Sequence, residues 1–220
     1  MKKYLSIFVF LMLLAGCGSK PIPDWTNAAF NQLESYKKSY LMGQASIAEL
    51  HFTRAVEEIK KSGNLDIMAR AYLIKYALQT VLLEKIDASK YVYIETLHPS
   101  PANKTYYAFL NGNFDRVEPQ LLPEQYRTFF KTYRTENPAA AVDEIQKMED
   151  PLSRMIAIGL MVQLRKSDER CLEIAIDTAS QNGWKQALLV YLDKLHSFYE
   201  TRKDLEQAAN IRKKIELIKD

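Results

Sequence analysis

The chain has 220 residues, with 30 basic and 27 acidic side chains, seven glycines, eight prolines and two cysteines. That length buries one or two hydrophobic cores, and the near-balance of charge leaves no nucleic-acid footprint. Scarce glycine and proline disfavour turn-rich β architectures and loop-built active sites, and two cysteines exclude a disulfide framework.

Lys2 and Lys3 supply a positive start, and residues 4–14 form an apolar run broken only by Ser6, the pattern of a secretory signal. The run is shorter than the ~20 apolar residues that span a bilayer. It ends in Leu14-Ala15-Gly16-Cys17, which resembles the lipobox of bacterial lipoproteins. A plain cleaved signal or an uncleaved anchor is the alternative. The resemblance implies cleavage before Cys17, so that residues 1–16 are a signal peptide and Cys17 carries a thioether-linked diacylglycerol and an amide-linked fatty acid. Several acyl chains, at ~0.8 kcal/mol per buried methylene, make a stable anchor where one does not. Gly18 stands where an aspartate would retain a lipoprotein at the inner membrane, so the resemblance implies the periplasmic face of the outer membrane. Without Lys2 and Lys3 the mature chain holds 28 basic and 27 acidic residues.

Residues 17–23 follow as an acylated tether, stiffened by Pro21 and Pro23, whose extended reach is roughly 20 Å. From Asp24 to the end, residues 24–220, helical periodicity dominates. Asp24 is placed as N-cap of a helix through Trp25, Phe30, Leu33, Tyr36, Tyr40 and Leu41 that Gly43 ends. Ser46 and Glu49 have capping-box spacing for the next helix, with Ile47, Leu50, Val56 and Ile59 on its apolar side and Gly63 at its exit. The segment from Leu65 to Leu83 is apolar nearly all round, which predicts a buried helix. Asp87 opens a shorter helix with Tyr91, Ile94 and Leu97, although Tyr91-Val92-Tyr93-Ile94 alone also reads as a strand.

His98-Pro99-Ser100-Pro101 breaks the chain, a short helix is predicted over Tyr106 to Leu110, and residues 111–123 are the least regular. An internal joint is therefore expected near residues 98–123. Tyr126, Phe129, Phe130 and Tyr133 resume helical spacing. Asn137-Pro138 and Asp150-Pro151 are start signals, the second opening a core helix that is apolar all round over Met155–Val162 and too short to cross a membrane. Ser167 or Asp168 caps a helix closed by Asn182-Gly183. A helix through Trp184, Ala187, Leu188, Tyr191, Leu192, Leu195 and Phe198 follows, then a last one with Leu205, Ala208, Ile211, Ile215 and Ile218 behind an Asp204/Gln207 cap.

Gly43, Ala48, Phe52 and Ala55 have the turn and second-helix spacing of a tetratricopeptide (TPR) repeat, which the chain thereby resembles. Leu110, Gly112, Phe114 and Val117 echo the same turn and helix start, and Tyr199, Ala208 and Ile215 the end of another repeat. The resemblance implies an all-α fold of stacked antiparallel hairpins wound into a TPR-like superhelix, with small residues letting helices approach and aromatics filling the grooves between them.

Candidate chemistry is sparse. His51, His98 and His196 are scattered and without the spacing of a zinc site, so no metal or cofactor is expected. Glu34-Ser35 resembles the catalytic pair of lytic transglycosylases, but Leu41-Met42-Gly43-Gln44 follows in the wrong order and too soon, so Glu34 reads as a solvated carboxylate and no enzyme is expected. Cys171, left unpaired if Cys17 is acylated, reads as core filling. The cations Arg202, Lys203, Arg212, Lys213 and Lys214 are interleaved with acids and read as a mixed solvated face. The expectation is a periplasmic adaptor or scaffold, anchored to the membrane by lipid, that binds an envelope protein partner and no nucleic acid. The alternatives are a peptidoglycan enzyme or glycan-binding lipoprotein, and a structural subunit of an envelope complex.

Overall fold

The computed structural model describes residues 23–219, whose regular structure is all helical, with no strand. The lipobox and Cys17 lie outside the described residues. In chain order the helices are α1 (Asp24–Leu41), α2 (Ala45–Lys60), α3 (Leu65–Val81), α4 (Ser89–Leu97), α5 (Pro101–Leu110), α6 (Glu124–Tyr133), α7 (Pro138–Gln146), α8 (Pro151–Gln163), α9 (Glu169–Gln181), α10 (Lys185–Thr201) and α11 (Leu205–Lys219). Two 3₁₀ turns, Phe114–Arg116 and Pro119–Leu121, bridge α5 and α6. Among the described residues no helix is long and apolar enough to cross a membrane.

Side-chain oxygens set most helix starts from α3 onward. Asn64, Ser100, Asn137, Asp150 and Asp168 each accept a hydrogen bond from the backbone N–H three residues on, satisfying a donor with no partner inside its helix. Proline follows three of these caps at the first helical position, where its missing N–H costs nothing. Asp204 caps α11 through the Gln207 N–H at 3.2 Å.

The first two helices begin differently from expectation. Asp24 is already helical and Pro23 takes the cap position without a side-chain bond. Gln44 precedes α2, again without a side-chain cap, so the Ser46/Glu49 capping box does not form. Glu49 instead pairs with Lys75 on α3 at 2.9 Å. Phe30, Ile47 and Leu50 are exposed, because the buried sides of α1 and α2 run through Ala29, Tyr36 and Leu41 and through Ala48, Phe52, Ala55, Val56 and Ile59. The segment Tyr91-Val92-Tyr93-Ile94 is helical, not a strand: Tyr91 and Ile94, one turn apart, are buried while Val92 and Tyr93 face outward. Asp87 lies before α4, where it caps a turn through the Ser89 N–H.

Adjacent helices form antiparallel pairs, α1 with α2, α9 with α10 and α10 with α11. Two long-range pairings join the halves of the chain: α3 packs on α8, and α1 touches α10. Both departures from a strictly nearest-neighbour array are visible at glycines. A Cβ on Gly159 of α8 would lie 2.4 Å from the Thr80 carbonyl oxygen of α3, and one on Gly43 would meet the Gln186 side chain at 3.1 Å. The apolar-all-round helices predicted from sequence are thus each other's neighbours, and the segment expected to be a joint, residues 98–123, runs beside them as α5 and the two 3₁₀ turns.

Rings fill the remaining space. Tyr36 and Phe52 meet at 5.0 Å between α1 and α2, and Phe109 lies within 6.4 Å of Phe114, Tyr126, Phe129 and Phe130. Large aromatic side chains bury the most apolar area per residue, and such contacts stabilise by ~0.5–1.5 kcal/mol beyond burial alone.

Candidate functional site

The TPR-like positions fall into three separate places, none of them a common site. Gly43 adopts φ +84° in the turn between α1 and α2, while Ala48, Phe52 and Ala55 are buried on α2. Gly112 adopts φ +66° after α5, with Leu164 at the end of α8 close against it. Phe114 stacks on Phe109 and meets Tyr133 edge-on, and Val117 is buried, but the helix start expected there is a single 3₁₀ turn. Pro119 explains the stop: its ring pushes Glu118 to extended backbone, φ −92° and ψ 105°. At the C-terminal end Ala208 is buried, Ile215 is half-buried, and the half-buried Tyr199 donates its hydroxyl to Glu169 at 2.5 Å. These residues pack helices; their sequence pattern located contacts, not chemistry.

The other singled-out groups are equally dispersed. Glu34 is half exposed and ion-paired to Lys37 at 2.6 Å. His51 Nδ1 lies 2.7 Å from Gln32 Oε1, and His196 lies 3.5 Å from Glu200. Among the described residues no group of three or more His, Cys, Asp or Glu side chains is arranged to hold a metal ion. Cys171 is fully buried, and burial first, then the Asp168 carboxylate, pushes its thiol up to about 12.

A groove that sequence reading missed combines exposed apolar surface with convergent polar groups. It lies between α4, α5 and the first 3₁₀ turn, with a volume of about 510 Å³, within the span typical of binding clefts. Its floor is Tyr91 and Tyr107, whose ring centroids are 4.7 Å apart. Tyr91 donates its hydroxyl to Glu95 Oε2 at 3.0 Å, and Glu95 Oε1 accepts from the Ser100 N–H at 3.0 Å, so this carboxylate is held on both sides. Burial, reinforced by Glu95, raises the Tyr91 phenol well above its ordinary range and keeps it a donor. Asn111, Asn113, Lys104 and Arg116 complete the rim, and neither cation has an ion-pair partner among the described residues.

Val92, on the α4 wall of the groove, is 47% exposed, whereas the exposed Tyr93 and Leu97 lie on another side of α4 and do not line it. Chemically the groove offers ring faces, amide donors and acceptors, and cations at the edge, a set that holds a chain segment by burial on the floor and polar bonds at the rim. The sequence signal was partial: Val92 falls off the Tyr91/Ile94 stripe, Leu97, expected on that stripe, is exposed, and the groove's second wall comes from α5 across the His98–Pro101 break.

No protein-family profile, curated protein or solved structure matches the chain.

Proposed function

We propose that the protein is a membrane-tethered, non-enzymatic scaffold at the periplasmic face of the outer membrane, which binds an envelope protein partner in the groove between α4 and α5. The observation that carries this reading is the juxtaposition of the Tyr91/Tyr107 floor with the exposed Val92 and the polar rim of Lys104, Asn111, Asn113 and Arg116. Aromatic anchors ringed by polar side chains are the usual centre of a protein interface. The lipobox-like segment supports the tether: a partner confined to the same surface meets the groove at a raised effective concentration. Packed helical hairpins, such as α1 with α2 around Tyr36 and Phe52, support the reading of a scaffold on which such a groove keeps its shape.

A photo-crosslinking residue at Val92, introduced in cells, tests the groove. The expected result is a discrete adduct that falls by ~10-fold or more in a Tyr107→Ala background, as loss of a hot-spot side chain predicts. The same probe at Lys213 is the control; an identical adduct pattern there, or one indifferent to Tyr107→Ala, would sink the reading. For the tether, Cys17→Ala is expected to abolish fatty-acid labelling, and retained labelling removes the lipobox from the argument.

A further inference from the structure

We propose that the exposed face of α6 is a contact surface for anionic phospholipid headgroups, built from Arg127, Lys131 and Arg134. These residues sit at i, i+4 and i+7, so they form one line ~10 Å long on the helix. All three are exposed. Phe130 lies between them as part of an open depression of about 400 Å³ that Pro119 and Gln120 complete. The Arg134 guanidinium stands over the Phe130 ring at 6.0 Å, and Arg127 Nε donates to the Leu122 carbonyl at 2.8 Å, which fixes one end of the line.

Part of the charged surface elsewhere is neutralised within its own helix. Lys37, Lys60, Lys61 and Lys147 each pair with a glutamate three residues away at 2.6–2.7 Å, and Arg212 pairs with Glu216. No ion pair involves Arg127, Lys131 or Arg134 among the described residues, and Lys131 and Arg134 have no acidic residue three or four positions away. Of the nearby acids, Glu118 accepts from Gln120 at 3.2 Å and Glu124 lines a different depression, beside Gln125 and Thr128. Three neighbouring like charges repel one another unless an anion sits against them.

The shape favours a flat anionic surface over an enclosed ligand. The cations are collinear on a convex helix, and the depression beside them is open and one-sided, with the exposed Pro119 available to the boundary between headgroup and acyl chain and the buried Phe130 as its floor. This surface rests on the proposed tether for its place in the cell, but not for its binding chemistry. Electrostatic attraction to an anionic leaflet contributes about 5-fold in partitioning for each basic side chain at the surface.

The test uses the full chain carrying Cys17→Ala, which is unacylated whether or not the lipobox reading holds. Cosedimentation compares vesicles of phosphatidylcholine with vesicles of equal parts phosphatidylglycerol and phosphatidylcholine. The expected preference for the anionic vesicles is ~100-fold at low salt, lost at ~0.5 M salt. The triple variant R127Q/K131Q/R134Q is expected to lose that preference, with its helical circular dichroism unchanged, whereas R202Q/K213Q/K214Q keeps it. An unchanged preference in the α6 triple variant, or none in the parent, overturns the proposal. Loss of the preference on adding millimolar inorganic phosphate at constant ionic strength also overturns it, since the ridge would then be a site for a free anion.

Discussion

Gly159 of α8 lies against the backbone of Thr80 in α3 so closely that a Cβ would stand 2.4 Å from the Thr80 carbonyl oxygen and 3.0 Å from its carbonyl carbon. The obstacle is backbone within a buried helix, so no side-chain rotation relieves it. Gly159→Ala gains ~1 kcal/mol of helix propensity, but pushing two packed helices apart costs typically ~1–3 kcal/mol and more where nothing can move. The expected outcome is a net loss of about 2 kcal/mol and a fall in Tm of roughly 4–8 °C. Gly63→Ala is the comparison: it meets nothing within 4 Å, has φ +64°, and should cost only the ~1 kcal/mol of left-handed backbone. Thermal denaturation of both variants checks the order; equal losses would remove the close crossing as the cause.

Alkali should destabilise the fold before it does anything else to it. Burial pushes the phenols of Tyr76 and Tyr126 up to about 12 and those of Tyr36 and Tyr191 higher still, while tyrosine in an unfolded chain ionises near ~10. The sign follows from linkage. Between these values the unfolded chain releases protons that the native chain retains, so stability is complete below pH ~10 and falls as pH rises toward 12. Tm measured from pH ~9 to ~11.5 should decline steeply, with tyrosinate absorbance appearing together with loss of helix. Tyrosinate formation at full helicity would contradict it.

The thiol of Cys171 should be inert in the native protein. It is 0% exposed and its ionisation is suppressed by burial, and the thiolate is the reactive species. In the Cys17→Ala chain a disulfide reagent at pH ~8 is expected to label Cys171 ~10³-fold more slowly than in urea, limited by the opening of α9. Comparable rates would place the thiol within reach of solvent.

Punctuation residues were the legible part of the sequence. Asn137-Pro138, Asp150-Pro151 and Asn182-Gly183 announce helix ends by chemistry confined to a few neighbouring residues, and the structure uses each of them. Ser46/Glu49 misled because Glu49 has a better use: Lys75, distant in sequence, takes the carboxylate that a local motif assigned to a cap. Phe30 and Leu50 misled for a related reason, since helical spacing gives a stripe its period but not its phase when nearby apolar residues offer two. The mutual packing of α3 and α8 was half visible. Their apolar circumference demanded burial, and only Gly159, a residue that helices otherwise avoid, hinted that something approached closely there. The α4/α5 groove depends on segments joined across the proline-broken stretch, and the α6 ridge shows in sequence only as Lys131 and Arg134 without an acid three or four residues away.

The contact between α1 and α10, sealed where Gln186 meets the Gly43 turn, sets an order of events for a chain made from its N-terminus. The α1–α2 hairpin is local and closes within microseconds to milliseconds of being available. Its remaining apolar face, however, waits for α10, which lies in the last fifth of the chain. Until then the Gly43 end of the hairpin belongs to an intermediate with an uncovered side, the kind of species that chaperones hold. Completion of the fold is therefore coupled to completion of synthesis, and a chain cut short before α10 keeps its hairpins but leaves the first of them unsealed.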